Sequence, residues 1–245
     1  MIKNTSKTSE FNHFETLADE WWDPNGKFKI LHLLTPIRMK YIKNNLFEKK
    51  QLIKSSKKSL SNFNILDLGC GGGLVCEPLA RLGANITGVD FVKQNIIAAK
   101  KHAKKSNANI EYLHLNINNL KLKKKYDAVL ILEVLEHIED WKKIIINVKK
   151  LLKPGGKIII STINRNFVSK FFAIFIAENI LNWVPKNTHT FSKLIKPEEL
   201  KSFLNKNKIN VTNLTGLVFN PLSGQWMLDK NNCLINYFCT AIKSN

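Results

Sequence analysis

Residues 64–73 read NILDLGCGGG. A short apolar run stops at four glycines grouped around Cys70, and a second apolar segment, LVCEPLARLG, follows. A buried strand that passes through a bare turn into a helix accounts for that order. Glycine at the turn permits positive φ and close approach to the backbone. In an open α/β sheet such a turn lies at the carboxyl ends of the strands, where ligands bind.

Outward from this stretch the rhythm repeats. NITGVD, NIEYLHLN, YDAVLILEV and KIIISTIN read as strands. QNIIAAKKHAKKS and DWKKIIINVKKLLKPGG read as helices, the latter closed by Pro154-Gly155-Gly156. Strands alternating with helices predict βαβ units and a mostly parallel sheet, an α/β fold. Upstream, a helix is expected over 10–23. A second is expected to start at Thr35 as N-cap, with Pro36 at its first position. Downstream come a hydrophobic helical stretch over 166–184, a helix over 197–206 and two strands, 209–217 and 233–242. The expected organisation is one domain over 1–245, with a helical cap at 10–50 and a ligand-binding core at 60–164. A hydrophobic insertion and lid at 165–207 and C-terminal strands at 208–245 complete it.

The glycine turn does not fit a dinucleotide. The fingerprint G-x-G-x-x-G needs glycine or alanine at its sixth position, and counting from Gly69 that position is Leu74. Asp67 precedes the turn, where a carboxylate repels a pyrophosphate. It suits a phosphate-free ligand carrying positive charge, and S-adenosylmethionine (SAM) is such a ligand. On this reading Gly69, Gly71 and Gly73 shape the loop, and Asp67 lies near the amino-acid end of the donor. Asp90, 21 residues after Gly69, ends the next strand and accepts from the ribose hydroxyls. Asn116 lies beside adenine, and Leu132 and Glu133 end the fourth strand near the methionine portion.

LILEVLEHIED, 130–140, places Glu133, Glu136 and His137 at i, i+3 and i+4. If the segment coils, all three share one face. Two carboxylates and an imidazole suit Mg²⁺ or another divalent ion, and they also suit a general base. A segment of this kind equally serves to shape a cofactor pocket with no metal at all.

The formal charge is +19, and 35 of the 38 basic residues are lysine, the arginines being Arg38, Arg81 and Arg165. Lysine is a poor bidentate reader of bases, so no sequence-specific nucleic-acid binding is expected, whereas attraction to an anionic membrane surface is. Four cysteines without C-x-x-C spacing predict reduced thiols. No apolar run is long enough to span a bilayer and the N-terminus lacks a signal-peptide core, so a cytoplasmic location is expected.

Together these residues resemble the ubiquinone-biosynthesis O-methyltransferases, a group within the class I SAM-dependent methyltransferases. The general part of the resemblance is LDLGCGGG…GVD…EVLEH…LLKPGG. Its specific parts are FETLADEWWDPNGKFKILHLLTPIRMKYI, STINRN, VPKNTHTFSKLIKPEEL and TGLVFNP. The resemblance implies a seven-stranded Rossmann-like sheet with an N-terminal helical cap. It implies methyl transfer from SAM to the phenolic hydroxyls of 2-polyprenyl-6-hydroxyphenol and 3-demethylubiquinol. It implies cofactor contacts at Arg38, Gly69, Asp90 and Leu132, and a divalent metal, Mg²⁺, on Glu133, Glu136 and His137. Phe219 stands where relatives often have tyrosine before Asn220-Pro221. The substrate is greasy, and the stretch RNFVSKFFAIFIAENILNWVPK, 165–186, offers Phe171, Phe172, Phe175 and Trp183 to it or to the inner face of a membrane. The same stretch also reads as a lid. His189 lies near the entry, a second base or a substrate-positioning group. Trp21 and Trp22 read as packing in a cap that can close over cofactor. A ubiquinone-biosynthesis complex is a further expected partner. Other readings are methylation of another small molecule or RNA, and a non-catalytic SAM-binding scaffold.

Overall fold

The alternation read from residues 63–164 folds as one face-covered sheet. A computed structural model describes residues 20–47, 60–169, 191–220 and 222–244. Its strands are β1 (Asn64–Leu68), β2 (Asn85–Asp90), β3 (Ile110–His114), β4 (Tyr126–Leu132), β5 (Leu152–Ile163), β6 (Ile209–Asn220), β7 (Gln225–Asp229) and β8 (Asn236–Lys243). The helices are α1 (Lys29–Leu46), α2 (Cys76–Arg81), α3 (Lys93–Lys105), α4 (Trp141–Leu151) and α5 (Pro197–Lys206).

The sheet order is β3-β2-β1-β4-β5-β8-β6-β7. The first five strands pair in parallel and the last three antiparallel. Strand order reverses between β1 and β4, so the chain ends of β1, β2 and β4 open onto one crevice, the place where such sheets bind ligands. The central strands are apolar on both faces, as sheets covered on both sides require. Tyr41, Ile42, Leu79, Ile96 and Ala99 from α1, α2 and α3 cover one face. Trp141, Ile144, Val148, Leu200 and Leu204 from α4 and α5 cover the other.

The cap is tied to the sheet by polar as well as apolar contacts. Tyr41 stacks on Phe238 with ring centroids 4.5 Å apart. Its hydroxyl donates to Asn213 Oδ1 (2.9 Å) and accepts from Thr240 Oγ1 (3.0 Å). Lys157 Nζ donates to the Asn45 carbonyl (2.6 Å), a cation at the C-terminal end of α1 where the helix dipole favours it.

Three expectations are corrected. The sheet has eight strands rather than seven. The added β7 is a short edge strand that pairs with β6 from Gly216↔Asp229 to Asn220↔Gln225; its QWMLD sequence has no β-branched residue to announce it. α1 begins at Lys29 instead of Thr35, leaving Pro36 inside the helix. Buried Phe28, stacked on Trp21, starts the helix, and the Thr35 hydroxyl donates back to the Leu31 carbonyl (2.7 Å) instead of capping. β5 begins at Leu152, and its Lys-Pro-Gly-Gly forms an irregularity opposite β4 rather than a loop after the helix. The helix expected over 10–23 lies outside the described residues except at Glu20–Asp23, which form turns. The hydrophobic stretch lies outside them from 170 to 190.

Candidate active site

β1 ends at Leu68, and the next residues turn back under β2. The Gly69 and Cys70 amides donate to the Val89 carbonyl at 2.7 and 3.0 Å. Gly71 has φ +53, a left-handed conformation that glycine adopts without penalty. That turn aims its N–H at Asp90 Oδ2 (2.9 Å). Asp90 Oδ1 accepts from the Val92 amide (2.9 Å) and from Asn95 Nδ2 (3.3 Å). A carboxylate offers about four acceptor positions, so one remains on Oδ2 for a ligand hydroxyl. Burial raises the pKa of Asp90, and the two amides, Asn95 and His114 oppose that rise.

Asp67, near the end of β1, is buried. Burial pushes its carboxyl up to about 6, against the Cys76 thiol that donates to Oδ2 (3.2 Å) and the charge of Arg38. Arg38 reaches the site from α1. It is 5% exposed, and its Nε has no hydrogen-bond partner among the described residues. Desolvation lowers its pKa, while Glu133, Asp67 and Glu136 favour its charge. A buried guanidinium with an idle N–H is unfavourable unless a ligand acceptor meets it.

Beyond β4 the chain does not coil as an α-helix. Glu133 takes φ +55, and only Leu135–His137 form a single 3₁₀ turn. Glu133 Oε1 accepts from Ser161 Oγ (2.8 Å), and Glu136 Oε2 accepts from Thr162 Oγ1 (2.9 Å). Two adjacent hydroxyls at the end of β5 therefore anchor the two acids. Glu136 is buried; desolvation, then the charge of Glu133, push its carboxyl upward, and His137 and Thr162 oppose this. Among the described residues no group of three or more His, Cys, Asp or Glu side chains is placed to hold a metal ion. The i, i+3, i+4 argument required a helix at Glu133, and the left-handed residue removes it. Glu133, Glu136 and His137 therefore do not share one helix face.

Residues 66–160 match the methyltransferase domain family. A ubiquinone biosynthesis O-methyltransferase of Pelagibacter ubique is 44% identical over 241 residues, covering 98% of this chain and 100% of the relative. One from Bartonella tribocorum is 42% identical over 248 residues, with both chains covered fully. The chain belongs to the ubiquinone biosynthesis O-methyltransferase family. These are enzymes of the SAM-dependent class. The magnesium protoporphyrin IX methyltransferase of Synechocystis, solved with bound SAM, shares the fold at a TM-score of 0.64 and 17% identity, with both chains fully covered.

Within this family frame, the structure brings together Arg38, Asp67, Gly69, Gly71, Asp90, Leu132, Glu133, Glu136 and His137 at the carboxyl ends of β1, β2 and β4. Asn116 follows Leu115, whose amide donates to the Asp90 carbonyl (3.0 Å). Its Oδ1 accepts from the Asn118 amide (2.9 Å) as cap of a 3₁₀ turn, so its carbonyl is already engaged. Phe171, Phe172, Phe175, Trp183 and His189 lie outside the described residues. Sequence reasoning missed Ser161, Thr162 and Asn95. The first two sit within the quoted STINRN, and the signal was there: hydroxyls at a strand's carboxyl end, one strand over from two acids. The tryptophan pair is closer to the loop than packing alone suggests. A Cβ on Gly71 or Gly72 would lie 2.4 Å from the Trp21 ring system, and Trp22 Nε1 donates to the Gly72 carbonyl (2.8 Å).

Proposed function

We propose that the protein transfers a methyl group from SAM to a phenolic hydroxyl of polyprenylated ring intermediates in ubiquinone biosynthesis. The observation that carries this is the pairing of Asp90, pre-held by the Gly71 and Val92 amides with acceptor capacity to spare, with buried Arg38 and its idle N–H. Those groups fit the donor: Asp90 takes a ribose hydroxyl, Arg38 the carboxylate, and Asp67 the ammonium side. Gly69 and Leu132 bound the same pocket, and Asn116, through its free amide N–H groups, borders adenine. SAM supplies an electrophilic methyl on a sulfonium.

The acceptor lies towards Glu133, Glu136 and His137. A phenol with pKa about 10 is a weak nucleophile until it loses its proton. His137 takes that proton, and the acids fixed by Ser161 and Thr162 orient it and stabilise its cationic form. The remaining task is alignment of oxygen with methyl. Two residues past Thr162 a cavity of about 480 Å³ is lined by Asn164, Arg165, Asn166, Phe167, Phe191 and Lys196. Its two phenylalanines stack with centroids 6.1 Å apart. Apolar rings edged by cations suit a greasy ring compound arriving from an anionic bilayer. No helix among the described residues is long and apolar enough to cross a membrane. On this reading the 165–186 stretch, with the apolar Phe171, Phe172, Phe175 and Trp183 of its sequence, serves the approach to lipid, and His189 serves the substrate.

The test uses purified protein, labelled SAM, Mg²⁺ and a short-chain prenyl catechol. Methoxy product is expected. SAM binding without turnover would instead favour a scaffold, and transfer to RNA but not to the catechol would overturn the substrate reading.

A further inference from the structure

Asn95 lies in the first turn of α3 and is 3% exposed. Its Oδ1 accepts from Trp21 Nε1 (2.9 Å) and its Nδ2 donates to Asp90 Oδ1 (3.3 Å). An indole nitrogen only donates and a carboxylate only accepts. The residue between them must therefore present an acceptor to one side and a donor to the other, which a carboxamide does in a single orientation. Aspartate, leucine or serine at 95 cannot complete both bonds at this reach.

Trp21 is itself fixed from several sides. It stacks on Phe28 with centroids 3.9 Å apart at 15°. Its carbonyl is bonded to His32 Nε2 (2.9 Å) on α1. Its ring lies against Gly71 and Gly72 so closely that neither position has room for a Cβ. Trp22 grips the same loop through the Gly72 carbonyl and stacks on His102 at 3.4 Å. The cap segment thus touches both the glycine turn and, through Asn95, the carboxylate that the turn's own amide holds.

We propose that Asn95 and Trp21 are positioning residues for the methyl donor: the indole N–H of Trp21 sets the Asn95 carboxamide, which sets the Asp90 carboxylate for the ribose. Docking of the N-terminal cap and affinity for the donor are therefore coupled, and by linkage each strengthens the other. The inference rests on the donor reading above.

The experiment measures S-adenosylhomocysteine binding to the full chain by calorimetry, with steady-state kinetics alongside. Trp21→Phe keeps one aromatic ring at this position and removes the N–H together with the second ring of the indole. It is expected to weaken binding about tenfold, the scale of one hydrogen bond in a charge-assisted chain, and to raise KM for SAM with kcat unchanged. Asn95→Ala should do the same, and the double variant should be no weaker than Asn95→Ala alone. The 2′,3′-dideoxy analogue of S-adenosylhomocysteine has no ribose hydroxyl for Asp90, so it should bind wild type and Trp21→Phe alike. Unchanged binding in Trp21→Phe, equal losses with both ligands, or fully additive effects would overturn the relay and leave the donor reading standing. Wild type that binds no S-adenosylhomocysteine would sink the donor reading and the relay together.

Discussion

Gly71→Ala and Gly155→Ala form a matched pair. Both glycines have left-handed backbone, φ +53 and +68. Alanine in that region costs about 1–2 kcal/mol at either site. Their surroundings differ: a Cβ at 155 meets nothing within 4 Å, whereas at 71 it lies 2.4, 2.7 and 3.0 Å from Cη2, Cζ2 and Cζ3 of Trp21. The indole cannot swing aside cheaply, because Phe28 stacks on it and Asn95 holds its N–H. Displacing it forfeits burial worth about 1.5–3 kcal/mol and a hydrogen bond worth about 1 kcal/mol. Gly71→Ala is therefore expected to lose about 2–4 kcal/mol more stability than Gly155→Ala. Urea unfolding followed by circular dichroism, at one pH and without ligand, reads both variants. Equal losses would mean that Trp21 does not sit on the loop in solution.

Other outcomes follow from the same contacts. Asp67 has a raised pKa, so the stability it contributes is complete below its unfolded value of 3.8 and is lost as pH climbs through about 6. Asp67→Asn should thus make the ligand-free protein more stable at pH 7, by at most about 3 kcal/mol. Wild-type affinity for SAM should fall as pH drops below 6 while that of Asp67→Asn stays flat, and parallel calorimetric profiles would refute the assignment. Asp90→Ala should abolish SAM binding, and an unchanged calorimetric isotherm would remove the ribose role. Tyr41→Phe leaves the buried Thr240 hydroxyl without its acceptor and should cost about 1–3 kcal/mol in urea unfolding. Deleting 166–184 should end pelleting with anionic vesicles if that stretch is the lipid contact; undiminished pelleting would count against it.

Much of this was legible because backbone chemistry announces itself. NILDLG, NITGVD and YDAVLIL are apolar on both faces, as only covered parallel strands can be, and the glycines and Asp90 fell where strand ends must place them. The misreadings share a cause: side chains distant in sequence overrode local signals. Thr35-Pro36 looks like a helix start, yet Phe28 finds Trp21 and starts α1 seven residues earlier. EVLEH looks helical, yet the Glu133 amide is drawn to the Ser161 carbonyl (3.0 Å) across to β5, and the chain turns left-handed to make that bond. Asn95 was invisible because the partner that gives it a role beyond Asp90, Trp21, is 74 residues away.

The site also reverses the sign of the molecule that carries it. A chain of formal charge +19 gathers Asp67, Glu133 and Glu136 around the buried guanidinium of Arg38, with Asp90 at the end of the neighbouring strand. Each acid has its own donor: a thiol for Asp67, two amides for Asp90, and one hydroxyl apiece for the glutamates. Those bonds only partly offset the cost of burying a carboxylate, and burial still raises the pKa of Asp67, Asp90 and Glu136. An apolar filling would stabilise the empty protein more. The energy given up is recovered when a cation enters, so the pocket is preorganised for a positively charged ligand. The lysine-rich exterior, by contrast, repels such a ligand and attracts anionic surfaces. Selectivity for the sulfonium over the neutral sulfur therefore falls to Glu133, beside the methionine portion, and Glu133→Gln should weaken binding of SAM more than binding of its neutral-sulfur product.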